Sequence, residues 1–412
     1  MDPLKLGLIL AAIGVIGVPV TIIGVILTIR YYKKQKKQSV SFEKRFFGEI
    51  DKIKRKLGVE PYVDGIPQLS DKSKQKALES ALKAFNINQF DTAIQLFQEY
   101  LQNFQVTETE RCAILNFIGL AQNTRGFNEE ALNTFTEMKL VAERIKDNDV
   151  LKIAWGNLGL VYHDLSDFKK SLECHNIALE ISKNIKNEMY IALDLGNIGL
   201  IYRVLGKLQE ALKYLENALK IHGKIGYEQG VALDLGNIGI IYRDLGKSQE
   251  ALKYNEEALK IHRKIGYEQG VASNLGNIGL IYRDLGKPQE ALKYLEEALE
   301  IDRKIGDEQG VASHLGNIGT IYSELGKPQE ALKYHEEALK IDRKIGYEQG
   351  VASHLHNIGL IYRDLGKPQE ALKYLEEALV IFRRIGMELQ IIQTEKNIDK
   401  IKQAAKRRGA LE

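Results

Sequence analysis

Cysteine is scarce. The 412 residues hold two, Cys112 and Cys174, too few for a disulfide framework or a thiolate metal site. Both fall in segments of helical periodicity and read as buried free thiols in a reducing compartment. A strong excess of one charge sign is also missing: 58 Lys and Arg face 55 Asp and Glu, a net charge of +3. A dedicated nucleic-acid binder is normally far more basic, so that class is set aside. Catalytic constellations are lacking as well. Gly246-Lys247-Ser248 resembles the end of a phosphate-binding loop, but Ile241 stands where that motif needs its first glycine. His354 and His356 lie two apart, on different faces of a helix, whereas helical metal pairs use a spacing of four. With no nucleophile beside a base, the sequence calls for no enzyme activity and no cofactor.

What is present is repetition. The stretch Leu195–Ile221 returns almost unchanged from Leu235, Leu275, Leu315 and Leu355, a step of 40 residues. Such a period marks a stacked array, which grows to this length without one large core. Inside the unit, Leu195, Ile198, Gly199 and Tyr202 step by three and four and share one face of a first helix. Ala211, Leu212, Leu215, Ala218 and Leu219 do the same for a second. Gly206 between them suits a left-handed helix end, and Pro288, Pro328 and Pro368 suit the first position of the helix that follows. Glycine inside a helix costs up to about 1 kcal/mol relative to alanine, so Gly199 predicts a close helix approach with Ala211 opposite. Tyr202 is expected to fill the space between neighbouring units.

Leu195, Ile198, Gly199, Tyr202, Ala211 and Ala218 fall on the consensus spacing of the tetratricopeptide repeat. The unit is longer than the common 34 residues and resembles the class found in kinesin light chain and LGN/Pins scaffolds, with Asn-Ile/Leu-Gly in the first helix. The resemblance implies an all-α fold, a right-handed α-α superhelix. Its functional implication is limited to the binding of a protein segment.

The chain is expected to divide into a membrane anchor over 1–30, a basic juxtamembrane helix and linker over 31–69, about eight repeat units over 70–386, and a capping helix and tail over 387–412. Leu6–Ile29 is an uncharged apolar run long enough to cross a bilayer as one transmembrane helix, with no small-residue cleavage site before the basic stretch. Lys5 alone precedes it, whereas Arg30, Lys33, Lys34, Lys36 and Lys37 follow. The positive-inside rule therefore predicts a single-pass protein with its N-terminus outside and its repeats in the cytoplasm. Gly7, Gly14, Gly17 and Gly24 form small-residue stripes that either pair anchors or reflect the ordinary abundance of glycine in membrane helices. Ser39–Leu57 is a basic amphipathic helix that suits anionic lipid, a solvated linker or a coiled-coil stalk. At the far end, Asn397-Ile398-Asp399 holds the register of Asn-Ile-Gly, and Lys402 replaces the tyrosine, which predicts a solvating cap.

Two positions in each first helix are read as facing away from the packing residues. One is asparagine: Asn157, Asn197, Asn237, Asn277, Asn317 and Asn357. The other is arginine: Arg203, Arg243, Arg283 and Arg363. In the resembled class an asparagine ladder forms part of a peptide groove, which implies that role for these six amides; an amide both donates and accepts, as a peptide backbone requires. The arginines suit acidic side chains, although Asp244 and Asp284 directly follow two of them. The amides could equally bond to the next helix. Departures between copies gather late: Thr320, Ser323-Glu324, His314, His354 and His356. They either read a partner's side chains or have drifted on a solvated face. The functional expectation is a membrane-anchored scaffold that holds an extended or helical segment of a partner protein. The alternative is an assembly or biogenesis factor of a membrane complex, acting through homo-oligomers of its anchor.

Overall fold

The computed structural model describes residues 72–407, Asn88 excepted, and these form seventeen α-helices. The apolar run, the juxtamembrane helix and the linker lie outside the described residues. Among the described residues no helix is long and apolar enough to cross a membrane. The chain divides into two compact units, Met1–Gly230 and Val231–Glu412.

In the first unit, α1 (Lys72–Asn86) pairs with α2 (Phe90–Asn103), α3 (Glu108–Thr124) with α4 (Asn128–Arg144), α5 (Asn148–Asp164) with α6 (Phe168–Asn184), and α7 (Glu188–Val204) with α8 (Leu208–Lys224). The division into units falls in the first turn of α9 (Glu228–Asp244). The second unit pairs α9 with α10 (Ser248–Ile265), α11 (Glu268–Asp284) with α12 (Pro288–Ile305), α13 (Glu308–Glu324) with α14 (Pro328–Ile345), and α15 (Glu348–Asp364) with α16 (Pro368–Arg384). A last helix, α17 (Glu388–Arg407), packs on α16. The first helices α11, α13 and α15 also touch one another in sequence, so they form one layer.

The turns obey simple backbone rules. Gly206, Gly246, Gly286, Gly326 and Gly366 end first helices with φ between 69° and 71°, a region that a Cβ disfavours. Ser166 occupies the same point in α5–α6 with φ 60° and carries that strain. Pro288, Pro328 and Pro368 open their helices.

Within each pair after the first, which has no glycine, the two helices meet at the predicted glycine. A Cβ on Gly199 would lie 3.2 Å from the Ala211 carbonyl oxygen and 2.9 Å from Leu215 Cγ. At Gly279 the corresponding distances to Ala291 and Leu295 are 3.1 and 2.9 Å. Beside this contact sit fully buried leucines, Leu215, Leu295 and Leu375, each worth about 1.5–3 kcal/mol of burial. Tyr202 stacks on Tyr214 of its own pair, centroids 5.2 Å apart. Tyr242–Tyr254, Tyr282–Tyr294, Tyr322–Tyr334 and Tyr362–Tyr374 repeat the stack. Tyr282 and Tyr362 of this register also pack against two successive apolar clusters each, so the stacked ring fills space between neighbouring units as expected.

Between pairs the interior is polar at one repeated point, where a second-helix residue meets one twelve positions later. In the first unit Ser182 Oγ donates to Asp194 Oδ2 at 2.6 Å, and Lys152 Nζ lies 3.0 Å from Asp194 Oδ1. Burial still pushes the Asp194 carboxyl up, against Lys152 and Ser182. In the second unit the same point holds His262 with Asn274 at 2.7 Å, Asp302 with His314 at 3.1 Å, and Asp342 with His354 at 3.2 Å. The Asp–His pair recurs in two copies, and Ser182 with Asp194 and His262 with Asn274 are other complementary pairs, as buried polar groups require.

This arrangement assigns the late histidines to packing. A Cβ on Gly276 would sit 2.5 Å from the His314 ring, and one on Gly316 2.5 Å from the His354 ring. Gly276 and Gly316, each just ahead of an asparagine, therefore make room for the next histidine. In the last copy the next residue is the smaller Thr394, so His356 replaces glycine and meets Thr394 Oγ1 at 3.0 Å. His314, His354 and His356 are structural parts of the interior, not surface positions for a partner.

Candidate functional site

The first helices of the second unit leave one stripe outside the core. Ser273, Asn277, Leu280 and Asp284 step by four, three and four, so they share a face of α11. Ser273 is exposed, and Asn277 and Leu280 are half-buried. The same stripe on α13 reads Ser313, Asn317, Thr320 and Glu324. On α15 it reads Ser353, Asn357, Leu360 and Asp364. The serines and the half-buried Ile240, Leu280 and Leu360 belong to this surface although only the asparagines and arginines are prominent in the sequence. Their signal is the same four–three–four spacing.

The six asparagines divide. Asn237, Asn277, Asn317 and Asn357 are half-buried and make no hydrogen bond to any other described residue. Their amides remain available to a ligand. In the first unit Asn157 is fully buried and donates to Asn116 Oδ1 at 2.6 Å, while Asn197 is only 8% exposed. The expectation that Asn157 faces away from packing is corrected: Asn116 of α3 meets it in the interior and takes its amide.

The arginines are committed. Arg243 Nε donates to Asp284 Oδ2 across the step from α9 to α11. Arg283 Nη2 donates to Asp284 Oδ1 at 3.0 Å, so one carboxylate serves two guanidinium groups. Arg363 Nε donates to Asp364 Oδ1 at 2.8 Å. Arg203 is half-buried and also has a partner. Arg243 and Arg283 thus lock helix ends to carboxylates and do not stand ready for an acidic ligand. Charge pairs this exposed contribute about 1 kcal/mol or less each.

The remaining chemistry-bearing groups are interior. Burial, the first cause in each case, pushes the Cys112 thiol up to about 12 and the Cys174 thiol up to about 11, which keeps both protonated and unreactive. Lys247 of the phosphate-loop look-alike lies over the Tyr242 ring at 5.8 Å, part of a helix turn. His354 and His356 turn to different partners, Asp342 and Thr394. Among the described residues no group of three or more His, Cys, Asp or Glu is placed to hold a metal ion.

Two tandem pairs of helices followed by further pairs, closed by glycine turns and a glycine–alanine contact, define a helical-repeat protein. Residues 190–264 and 270–344 match one tetratricopeptide repeat model, and residues 351–385 match another. The chain carries tetratricopeptide repeats. Residues 62–163 match the model of anaphase-promoting complex subunit 5. No curated protein sequence matches the chain. Among solved structures, the Rap conjugation gene regulator of plasmid pLS20 in complex with the Phr* peptide is similar in fold. It is 14% identical, covers 76% of this chain and 96% of that chain, and has a TM-score of 0.56. A Rap protein complexed with competence and sporulation factor is 15% identical, over 82% of this chain and 99% of that chain, with a TM-score of 0.53. Kinesin light chain repeats from Podosopora anserina are 22% identical over 46% of this chain and 93% of that chain, but the TM-score of 0.38 is too low to support an inference.

Proposed function

We propose that this protein is a membrane-tethered scaffold whose second unit binds an extended segment of a partner protein across the first helices α9, α11, α13 and α15. The observation that carries the reading is the row of Asn237, Asn277, Asn317 and Asn357. These four amides recur at one register and no described residue bonds them. A half-buried amide without a partner is costly to leave idle, and an extended peptide backbone offers donors and acceptors along its length to match such a row. Fold relatives solved with a factor and with a Phr* peptide support a peptide as ligand. The tether rests on the uncharged run Leu6–Ile29, and the cytoplasmic side on the five basic residues that follow it. Asn157, Asn197 and the four arginines are left out of the binding set, because they are buried or already paired.

The test uses the full chain in detergent micelles and the same chain with Asn237, Asn277 and Asn317 changed to Ala, both checked for helicity by circular dichroism. Partner proteins recovered from native membranes by the first and lost by the second support the groove. Equal recovery by both rejects it. Resistance of the chain to alkaline carbonate extraction, lost on deletion of residues 6–29, tests the tether.

A further inference from the structure

One charge on the proposed binding stripe has no counterpart among the described residues. Each first helix of the second unit ends on an acidic residue: Asp244, Asp284, Glu324 and Asp364. A carboxylate there opposes the helix dipole, whose negative end it adds to, so a cation nearby is expected. Asp284 and Asp364 have theirs, from Arg243 and Arg283 and from Arg363, and Asp244 is also partnered. Glu324 differs. It is exposed, it forms no ion pair with any described residue, and α13 has no basic residue in its last turn. The cause is local: Ser323 stands where the other copies carry arginine. The nearby cations are spoken for. Arg283, one helix back, turns to Asp284, and Lys327 lies 5.7 Å from the Tyr322 ring centroid.

A second departure sits on the same turn. Thr320 replaces the aliphatic residue of the other copies and directs its hydroxyl to Gly316 O at 3.0 Å, which leaves a smaller, polar floor beside Glu324. On and beside the stripe, Thr320, Ser323 and Glu324 are departures of α13 from its neighbours α11 and α15, and together they convert a neutralised arginine–aspartate corner into an open carboxylate two turns along the stripe from Asn317.

We infer that Glu324 is the specificity residue of the groove and that the bound segment carries a lysine or arginine whose cation pairs with it. The inference rests on the peptide-binding reading above and names the chemistry of its ligand. It also reverses the simplest expectation from the four arginines, that the ligand is acidic.

The experiment is selection of a random-sequence displayed peptide library on the full chain in detergent micelles, followed by fluorescence anisotropy with a recovered peptide. Recovered peptides are expected to share one Lys or Arg position. Replacing that residue by Ala, or changing Glu324→Gln, should weaken binding roughly tenfold, the scale of a charge-assisted hydrogen bond. The double change Ser323→Arg with Glu324→Asp, which restores the corner of the neighbouring copies, should do the same. Glu324 is exposed, so neither change should alter thermal unfolding. Recovered peptides without a shared basic position, or binding unmoved by Glu324→Gln while Asn277→Ala weakens it, would overturn the inference and leave the groove standing. Recovery of no peptide at all would overturn both.

Discussion

Replacing Gly279 with alanine pits two effects of known sign against each other. Alanine in a helix interior is favoured over glycine by about 1 kcal/mol, so propensity alone predicts stabilisation. The new Cβ, however, would lie 2.9 Å from Leu295 Cγ and 3.1 Å from the Ala291 carbonyl oxygen, whereas carbon contacts settle at about 3.5–4.0 Å. Leu295 is fully buried and cannot swing into solvent, and the carbonyl is helix backbone. The pair α11–α12 has to part by a few tenths of an ångström or more. Overpacking of this kind costs about 1–3 kcal/mol, which leaves a net loss of up to about 2 kcal/mol for alanine and a larger one for leucine. Gly156 supplies the control. It also lies within a helix, but a Cβ there would meet nothing within 4 Å, so Gly156→Ala should stabilise by up to about 1 kcal/mol. Urea unfolding followed by circular dichroism measures both. Repeat arrays need not unfold in one step, so amide hydrogen exchange should place the Gly279→Ala loss in α11 and α12. If Gly279→Ala stabilises as much as Gly156→Ala, the close-approach reasoning is wrong.

The interior histidines predict an acid limb. Burial holds His175 and His335 down at about 3, with help from Lys152 and His354 respectively, and it also lowers His262 and His356. A histidine whose folded value lies below its unfolded one, about 6.5, is bound by more protons when unfolded. Its contribution is therefore complete above about pH 6.5 and is lost as pH falls toward about 3. Near pH 4.5 that is up to about 3 kcal/mol for His335, partly opposed in the second unit by Asp302, whose carboxyl burial pushes up. His335→Leu, the residue that Leu295 and Leu375 show fits this register, should flatten the pH dependence of melting between about pH 4.5 and 6.5; an unchanged slope would refute the assignment. At the strained turn, Ser166→Gly should raise stability by about 1 kcal/mol by relieving φ 60°, whereas Gly246→Ala at φ 71° should lower it by a similar amount. Thermal melts of the two variants should move in opposite directions.

Much of the fold is legible in the sequence because single residues carry it. Gly199 and Ala211 announce the helix contact, Gly206 the turn, and Pro288 the helix start, each through a local backbone rule. What stays hidden depends on residues that meet only after stacking. Nothing near Asn157 in the chain says that Asn116 will take its amide. His314 looks like a surface novelty until Asp302, twelve residues earlier, and the space above Gly276 are seen together. Tyr202 has a stacking partner in Tyr214 that periodicity alone does not single out. The candidate stripe is half visible: the asparagines stand out, but the burial that removes two of them and the aspartates that occupy the arginines follow from packing between pairs. Glu324 became informative only when the cations around its counterparts could be counted.

The decisive measurement on the binding face is site-specific photo-crosslinking in native membranes. A photoreactive residue replaces Leu280, on the stripe of α11, in one version of the chain and Lys293, on the exposed face of α12, in another. A peptide-binding first-helix layer predicts a discrete protein adduct from position 280 that disappears when Asn237, Asn277 and Asn317 are changed to Ala, and none from position 293. An adduct from position 293 alone would place the partner on the second helices and contradict the groove.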